Sequence, residues 1–510
     1  MRYLVKCSPL LVVFTIVLTH IAFSQPNQLR TLNEVVSDIY SSWDEEKLNQ
    51  KISPNLLRED IDYFVETIES AGVNPYFNFP QDSFYHEIAL LKKSIIRPLT
   101  RRAFLLRFVP VANKLNLSHT KVIPDYWVYE NIFNENGGTY FSINIKIENQ
   151  SLFVVKDYSS YHLTEGTEIK SINGIPSPTI IDSLLQYSSG STHHAKMMDI
   201  QEDFSFWLWW VYNVSDTFQV TTPNQVYSMQ GIHPDTLDSL ENENSLQQKT
   251  YREDDIPYKY TQLDSATSKV TLRHFAIRGE KANTQFQHFL DSVFFQLKVD
   301  AIPNLIIDVR GNPGGNNSQV EVAKYLFDKP FKTSSKVLYK KSNIAYDFFR
   351  LFLYPEDRDD PEKLKIVGEC FGPCQSEHSF GESYECDKKA IHPQPDSIRF
   401  DGNLFVLTDH RTNSSAVDFA VLIKDYGMGK IIGSETRQSP SNDANGMYFV
   451  LPNSNVLAGG ATQYVIRPNG DPSTKKGIVP DYQVSQKSED TEKGVDTVMD
   501  FTMQLINNHN

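Results

Sequence analysis

The chain has 510 residues, of which 40% are hydrophobic and 22% are charged. This is the composition of ordinary globular proteins, which excludes a disordered or fibrous protein, and the length suffices for about two to four domains. The net charge is −14, from 49 Lys and Arg residues against 63 Asp and Glu residues. No segment is densely basic with interleaved aromatic residues, so the sequence gives no indication of a nucleic-acid partner.

The N-terminal residues have the pattern of an export signal. Two basic residues precede an apolar run over residues 10–17, and the small residues Ala22 and Ser24 follow. This order predicts a signal peptide over residues 1–24 that is removed from a periplasmic or secreted protein. An uncleaved membrane anchor is the alternative, and no later segment is long and apolar enough to span a bilayer.

The sequence predicts helices over residues 54–117. Apolar residues recur at helical spacing over residues 57–68, 84–95 and 103–115. Ser118 and His119 follow directly, where the helical pattern gives way to a β-like segment. A surface or structural role is the default for any one histidine, so His119 becomes a candidate only together with other residues.

A β-rich region follows, from Thr139 to about Leu185. Its Asn173-Gly174 pair predicts a tight turn between two short strands. The run over residues 166–175 resembles the central segment of PDZ-like modules, which bind an extended chain end as an added strand. A β-rich linker domain without peptide binding is the alternative. The aromatic-rich segment 204–220 is interpreted as core.

A strand, a glycine-rich turn and a helix are predicted in succession around residue 310. Residues 305–307 form an apolar run typical of a buried strand, Gly311, Gly314 and Gly315 force a turn, and helical spacing begins at Ser318. Such a turn can direct backbone N–H groups at an anion or a developing oxyanion. A plain strand-to-helix turn is the alternative.

Ser414 and Ser415 stand at a second strand-to-helix junction, between a buried strand at 404–408 and a helix at 416–426. A serine there is exposed and next to free N–H groups, as a nucleophile requires. Ordinary capping of the helix is the alternative, and a nucleophilic serine also needs a base.

Cys370, Cys374 and Cys386 lie in a charged region, residues 329–400, that is interpreted as an elaborated loop. Three cysteines in an exported protein indicate one disulfide and one free thiol. A zinc site that includes His378 and His392 is the less favoured alternative, because the spacing matches no familiar zinc motif.

Four motifs in order give a specific resemblance. They are Asp308-Val-Arg-Gly-Asn-Pro-Gly-Gly315, Thr412-Asn-Ser-Ser-Ala-Val-Asp-Phe419 with Asp425-Tyr-Gly427, Gly433-Ser-Glu-Thr436, and Gly477-Ile-Val-Pro-Asp481. From about residue 54 to 485 the chain resembles the C-terminal-processing (tail-specific) serine protease family, which includes the tricorn protease core and the retinoid-binding protein modules. The resemblance implies a multidomain α/β protein with a helical N-terminal domain, a PDZ-like β module and a ClpP/crotonase-like α/β spiral catalytic domain.

The resemblance also implies roles for individual residues. Aligned on Asp425-Tyr-Gly427, the nucleophile is Ser414, and Ser415 supplies an oxyanion N–H. The second N–H comes from Gly314 or Gly315, with Gly311 in the same oxyanion and substrate-binding turn. Asp308 and Arg310, in the first motif, are interpreted as fixing this turn rather than as a catalytic acid and base.

The family activates its serine in two ways, and the sequence favours the tricorn-like one. In the processing proteases a lysine follows the serine by about twenty-five residues, and Ser439 stands there in this chain. In the tricorn-like branch a histidine is the base and an adjacent serine links it to a glutamate. Ser118-His119 matches that pair, whereas Thr474 occupies the expected glutamate position.

The leading hypothesis is a serine peptidase that cleaves exported proteins or peptides, with a preference for their C-termini, and uses neither cofactor nor metal. The alternative is a catalytically silent member that binds peptides or apolar ligands. The predicted division is signal peptide 1–24, lead-in 25–53, helical N-terminal domain 54–136, PDZ-like module 137–195, protease domain 196–485 with insertions at 226–260 and 329–400, and C-terminal tail 486–510.

Overall fold

A computed structural model of the chain describes residues 49–124, 133–134, 136–244, 257–277, 279–386, 388–473, 475–486, 490 and 494–509. The predicted signal peptide, most of the predicted lead-in and Thr474 lie outside the described residues. Among the helices that are described, none combines the length and the apolar character needed to cross a membrane.

Three helices open the described chain, where the sequence predicts them: α1 (Pro54–Ala71), α2 (Gln81–Ser94) and α3 (Arg101–Ala112). Pro54 begins α1 because its fixed φ suits the first helical position. The apolar face of α1 is fully buried, as its helical spacing predicts. After α3 the chain makes a short 3-10 turn, and Asn116 takes a left-handed conformation that ends it. The next strand, β1 (Lys121–Val122), follows, so His119 lies at the predicted junction.

The β-rich region forms two small sheets. Strands β2 (Ile143–Glu148), β3 (Ser151–Asp157) and β4 (Glu168–Ile169) make one sheet, and β5 (Ser171–Ile172) pairs with β6 (Ile175–Pro176) in the other. Asn173 and Gly174 both have positive φ, which confirms the predicted turn. The helix α4 (Ser177–Leu185) follows.

Two further helices, α5 (His193–Glu202) and α6 (Phe204–Tyr212), come next, and the aromatic residues of α6 are buried as predicted. Strands β7 (Thr217–Thr221) and β8 (Val226–Gln230) then return to the second small sheet, where β7 pairs with β5. This pairing carries the β region past the predicted boundary at 195. The likeness of the region to a PDZ module stays a prediction.

The central sheet has six strands. After α7 (Pro234–Asn244), β9 (Tyr258–Gln262) forms its edge, and the sheet includes β10 (Thr267–Leu272) and β11 (Asn304–Asp308). The helix α8 (Glu280–Val299) joins β10 to β11, and the short helix α9 (Ser318–Ala323) follows the glycine-rich turn. Because β10 and β11 are parallel and adjacent, this arrangement is an α/β crossover.

The region 329–400, interpreted from the sequence as a loop, contains regular elements. It forms β12 (Lys336–Lys340), α10 (Asn343–Arg350), α11 (Pro361–Glu369) and β13 (Ser383–Glu385). A disulfide joins Cys374 to Cys386, and Cys370 is free and buried, which confirms one disulfide and one thiol. The loop interpretation was wrong because charged residues between the apolar positions concealed their helical spacing.

The central sheet continues with β14 (Asn403–Thr408), α12 (Ser415–Tyr426), β15 (Lys430–Gly433) and later β18 (Tyr482–Gln483), in the order β18-β15-β14-β11-β10-β9. All neighbours are parallel except β9 and β10. Strand alternation buries Leu305 and Ile307 under the helices of one face, whereas Ile306 packs on the other face toward the C-terminal helix α13 (Thr497–His509).

Two long strands, β16 (Asn442–Val450) and β17 (Leu457–Ile466), form the centre of a separate five-stranded sheet. β17 pairs with β16, with β1 and with β12. The segment that contains His119 is thereby attached to the same sheet as β16. The mixed α/β architecture agrees with the predicted fold class.

Candidate active site

The turn after β11 is held by an ion-pair cluster. The Arg310 guanidinium donates to both carboxylate oxygens of Asp308, at 2.9 and 2.8 Å, and to both of Asp496, at 2.8 and 2.7 Å. Bidentate pairs of this kind fix geometry as well as charge. Asp308 and Arg310 therefore hold the turn, as expected from the sequence, and the structure adds Asp496 from the loop before α13.

The N–H of Gly311, a predicted oxyanion and substrate-binding residue, already has a partner within the protein. Its N–H donates to Asp409 Oδ1 at 2.9 Å. The same oxygen accepts the N–H groups of Arg411 and Thr412 at 3.0 and 2.9 Å. Asp409 thus ties the glycine-rich turn to the segment that precedes Ser414. The substrate-binding role of Gly311 stays a prediction.

Gly314 lies directly against the candidate nucleophile. A Cβ placed on Gly314 would stand 2.6 Å from Ser414 Cβ and 3.0 Å from Ser415 N, and the φ of Gly314 is +100°. Only glycine fits this approach. Its own N–H donates to Asn312 Oδ1 at 2.8 Å, so that group is already used. Asn312 also accepts, through its carbonyl, the Asn413 N–H at 3.0 Å.

Gly315 is the remaining candidate of the pair. Its neighbours hold the chain against Phe275, because Phe275 N–H donates to Gly314 O and Asn316 N–H donates to Phe275 O. Within the described residues, the Gly315 N–H has no hydrogen-bond partner. The same holds for the N–H of Ser415, at the first turn of α12. Of these two glycines, Gly315 is therefore the one whose N–H has no hydrogen-bond partner in the described chain.

Ser414 is the more accessible of the two serines and has an unusual backbone. Its φ is +51° and its ψ −127° at the N-terminus of α12, a region that non-glycine residues rarely occupy. The Ser414 N–H donates to Gln438 Oε1 at 3.1 Å, which supports this conformation. Ser415 has a 1% exposed side chain, whereas Ser414 is only partly buried. A strained, accessible serine at a strand-to-helix turn has the geometry of a nucleophile elbow.

The His119 ring is oriented by Asp443. The ring atom Nδ1 lies 2.7 Å from the backbone carbonyl oxygen of Asp443. Because a carbonyl can only accept, Nδ1 carries the proton, and Nε2 of the neutral ring keeps its lone pair. The Asp443 carboxylate lies 3.8 Å from Nδ1.

The Asp443 carboxylate also holds the backbone around His119. It accepts the N–H groups of Ser118, His119 and Thr120 at 2.8, 2.7 and 3.2 Å. Burial alone would raise the pKa of Asp443, but these hydrogen bonds and the adjacent His119 ring bring the pKa below its ordinary value. The group therefore stays ionised beside the ring.

The predicted site residues form two groups. Ser414, Ser415 and Gly314 are in contact, and Ser118 and His119 are joined to Asp443. The segment 438–443 connects the groups, because Gln438 binds Ser414 and Asp443 binds His119. No hydrogen bond joins Ser414 to His119 in the described parts of the chain, and such bonds are often loose in enzymes without substrate.

Comparison with known proteins identifies the family of the central region. Residues 267–484 match the model of peptidase family S41. Over these residues the chain is similar to peptidase family S41. The match covers the central sheet from β10 onward, including Ser414 and Asp443, and it supports a serine-type peptidase. Curated protein sequences give no match to this chain.

Solved structures share the fold well beyond the S41 region. The crystal structure of mature CPAF is 13% identical in sequence and has a TM-score of 0.57. The matched region covers 89% of this chain and 98% of the CPAF chain. The structure of mature CPAF complexed with lactacystin is also 13% identical and has a TM-score of 0.55. That match covers 89% of this chain and 100% of the CPAF chain. At such identities the likeness concerns the fold alone.

Ser439, which stands where processing proteases of the S41 type have a lysine, has a structural role. It is fully buried, its hydroxyl donates to Ser441 O at 2.9 Å, and its N–H donates to Ser191 Oγ at 3.2 Å. Another lysine, Lys121, lies two residues after His119. Burial, with the nearby charge of Arg437, lowers its pKa to about 8.

Asp443, Gln438 and Asp409 are parts of this candidate site that were not predicted from the sequence. Asp443 is the second residue of β16, in an ordinary strand pattern with no local motif. Asp409 was visible as the residue after a buried strand, where capping carboxylates are common, and this signal could have identified it. Among the described residues, no group of three or more metal-ligating side chains could hold a metal ion.

Proposed function

We propose that this chain is an active serine peptidase with Ser414 as nucleophile and His119 as general base. Ser414 Oγ attacks the peptide carbonyl carbon while its proton passes to His119 Nε2. The tetrahedral intermediate collapses as the C–N bond breaks and His119 returns the proton to the leaving amine. Water then hydrolyses the acyl–serine ester by the same proton route.

The hydrogen bond from His119 Nδ1 to the Asp443 carbonyl is the observation that carries this proposal. It fixes the tautomer in which Nε2 can accept a proton, which is the task of the acid in a serine–histidine site. The neighbouring carboxylate stabilises the imidazolium that forms. Asp443 thus supplies what the expected glutamate would supply, although it comes from a different position in the chain.

The oxyanion would be bound by two backbone N–H groups. Those of Ser415 and Gly315 have no protein partner in the described chain and flank the close contact between Gly314 and Ser414. The positive end of the α12 dipole adds to their effect. Pre-oriented donors of this kind are typically worth about 10²- to 10³-fold each in rate.

The substrate class proposed is exported proteins or peptides, cleaved near their C-termini. The signal-peptide pattern of residues 1–24 supports export, and the resemblance of residues 166–175 to PDZ-like modules supports capture of an extended chain end. A comparison of peptides with a free and an amidated C-terminus tests the preference. Equal cleavage of the two would refute it without affecting the Ser414 mechanism.

A fluorophosphonate probe tests the mechanism. Labelling of the wild type that disappears in both Ser414→Ala and His119→Ala supports it. Matched controls on the exposed face of α8, Ser292→Ala and His288→Ala, should label like the wild type. A folded wild type that neither labels nor cleaves unfolded protein would instead support the silent, ligand-binding alternative.

A further inference from the structure

Helix α5 contacts the segments on both sides of the candidate site. Its residue Glu202 reaches the loop before Ser414, and its residue Asp199 reaches the loop that carries Gln438. Its residue Lys196 donates to Asn116 Oδ1, three residues before His119, at 2.7 Å. α5 itself lies outside the S41 match, so these contacts join a separate part of the chain to the site.

The contact with the nucleophile loop uses one carboxylate oxygen. Glu202 Oε1 lies 2.6 Å from His410 Nε2 and 2.8 Å from Arg411 Nε. These two residues follow Asp409, whose side chain binds the Gly311 N–H. The short loop that leads to Ser414 is therefore bound both to Glu202 and to the glycine-rich turn.

The contact with the Gln438 loop is equally direct. Asp199 Oδ1 pairs with Arg437 Nη2 at 2.5 Å, and both side chains are largely buried. The Thr192 hydroxyl, at the N-terminus of α5, donates to the Arg437 carbonyl at 3.2 Å. The Arg437 N–H donates in turn to Thr412 O at 3.0 Å, so the two loops are also bound to each other.

We propose that Glu202 and Asp199 are positioning residues that keep the Ser414 loop and the Gln438 loop in their catalytic arrangement. Through the Glu202–His410 pair, this positioning depends on pH. The proposal rests on the serine peptidase function proposed above. The Asp199–Arg437 pair is largely buried and the Glu202 pairs are partly buried, so all of them cost desolvation energy and contribute little to stability. Their value is geometric, since a misplacement of about 1 Å in a reacting group can cost about 10²-fold in rate.

The direction of the pH effect follows from the surroundings of His410. It faces Glu202 and His194 from α5, and Asp409 and Arg411 on its own loop. Burial alone would lower the pKa of His410, but the hydrogen bond and charge of Glu202 raise it above its ordinary value. The protonated pair is thus fully formed below about pH 6.5, the ordinary histidine pKa, and weakens as pH rises through the raised value.

At low pH the stability of this contact depends on the protonation of Glu202. Burial would raise its pKa, but His410 and Arg411 lower it to about 2. Its contribution is present above its ordinary pKa of about 4.3 and is lost only as pH falls toward about 2. Arg411 stays charged at every pH used, so the contact weakens at alkaline pH without being lost.

Glu202→Gln in the full-length protein is the first test. We expect kcat for an unfolded protein substrate to fall about tenfold with KM within about twofold, because the nucleophile is misplaced while substrate binding is unchanged. Glu148→Gln is the matched control, since Glu148 pairs with Lys146 on the exposed surface of β2. It should leave kcat unchanged.

The pH profile is the second test. The wild type should lose kcat on the alkaline side as His410 deprotonates. His410→Arg keeps the positive charge at every pH and should remove that decline, whereas His410→Gln should lower kcat at acid and neutral pH to about the level that the wild type reaches at alkaline pH. A merely structural role for the pair would lower the thermal midpoint without moving the alkaline limb.

Three outcomes decide the proposal. An active wild type with unchanged kcat and alkaline limb in both Glu202→Gln and His410→Arg refutes it and leaves the peptidase function intact. A wild type that neither labels nor cleaves refutes both. If Glu202→Gln does not fold, His410→Arg and Asp199→Asn carry the test, and normal kcat and pH dependence in these two would refute it.

Discussion

The two halves of the candidate site are built in different ways. The nucleophile half, which contains Gly314, Ser414 and Ser415, consists of two turns. These turns follow adjacent parallel strands, since β11 pairs with β14 and Asp308 is opposite Leu407. The base half unites His119 with a strand residue, Asp443, that is 324 positions away. Parallel strands bring the ends of neighbouring motifs together by topology, whereas the base half depends on one specific buried contact.

The two halves also differ in how strictly the geometry requires a particular residue. The nucleophile half needs a glycine at Gly314, because any side chain would enter the space between Ser414 and Ser415. The base half needs only an acceptor for Nδ1 and a charge nearby, and several positions could provide them. A carbonyl and a carboxylate of the same residue, Asp443, meet both needs.

Substitution of Gly314 by alanine should have the largest effect on activity. The new Cβ would stand 2.6 Å from Ser414 Cβ, in a backbone conformation with φ +100°. We expect kcat to fall about 10³-fold, which is at least the loss caused by removal of one oxyanion donor. We also expect fluorophosphonate labelling to disappear. The measurement is single-turnover cleavage together with labelling.

Gly427→Ala is the matched control for this change. Gly427 ends the same helix, α12, with a φ of +65° and open space around its Cα. It should cost about 1 kcal/mol in the free energy of unfolding, with unchanged kcat. Similar activity losses in both variants would show that backbone strain, and not the approach to Ser414, explains the result.

Substitution of Asp443 by asparagine should have the next largest effect. The backbone carbonyl still orients His119, but the charge beside the imidazolium and the acceptor for three N–H groups are lost or weakened. We expect kcat to fall about 10²-fold, less than when an acid that directly contacts the ring is replaced. Unchanged kcat would show that the carbonyl alone suffices and that the carboxylate is structural.

The same variant makes a prediction about stability. The pKa of Asp443 is lowered in the folded protein, so its contribution is fully present above the ordinary value of about 3.9 and is lost as pH falls through the lowered pKa. Wild type and Asp443→Asn should therefore differ most in free energy of unfolding at neutral pH, and the difference should shrink as pH falls through the lowered pKa of Asp443. Denaturant unfolding at several pH values measures this.

The nucleophile half could be predicted from sequence because its signals are local. Apolar runs predict β11 and β14, and the glycine and serine residues that follow them indicate where each strand ends. The motif order then identified Ser414 among many serines. The structure agrees with the predicted secondary structure around it because buried parallel strands are continuous apolar segments.

The base half and the α5 contacts could not be predicted in the same way. Asp443, Glu202 and Arg437 act through partners more than 200 positions away, and no local pattern marks which charged residues become buried. Desolvated pairs are set by tertiary packing. The contact of Gly311 could not be predicted for a related reason, since its N–H binds a carboxylate from another loop.

Removal of the disulfide tests whether the base half extends into the region 329–400, and it should have the smallest effect on activity. Cys374 and Cys386 close a loop next to β13, which pairs with β12, which in turn pairs with β17 beside Asp443. Replacing both cysteines by alanine should lower the free energy of unfolding by about 3 kcal/mol, because a short closed loop is released in the unfolded chain.

The kcat of this variant should stay within about twofold of the wild type, since two strands separate the disulfide from β16 and an intact strand transmits little displacement. Cys370→Ala, which keeps the disulfide, controls for loss of a buried sulfur atom. A tenfold fall in kcat with the disulfide removed, and none with Cys370→Ala, would mean that the position of Asp443 depends on the whole five-stranded sheet. The base half would then be a property of that sheet and not of a single contact, which would widen its difference from the nucleophile half.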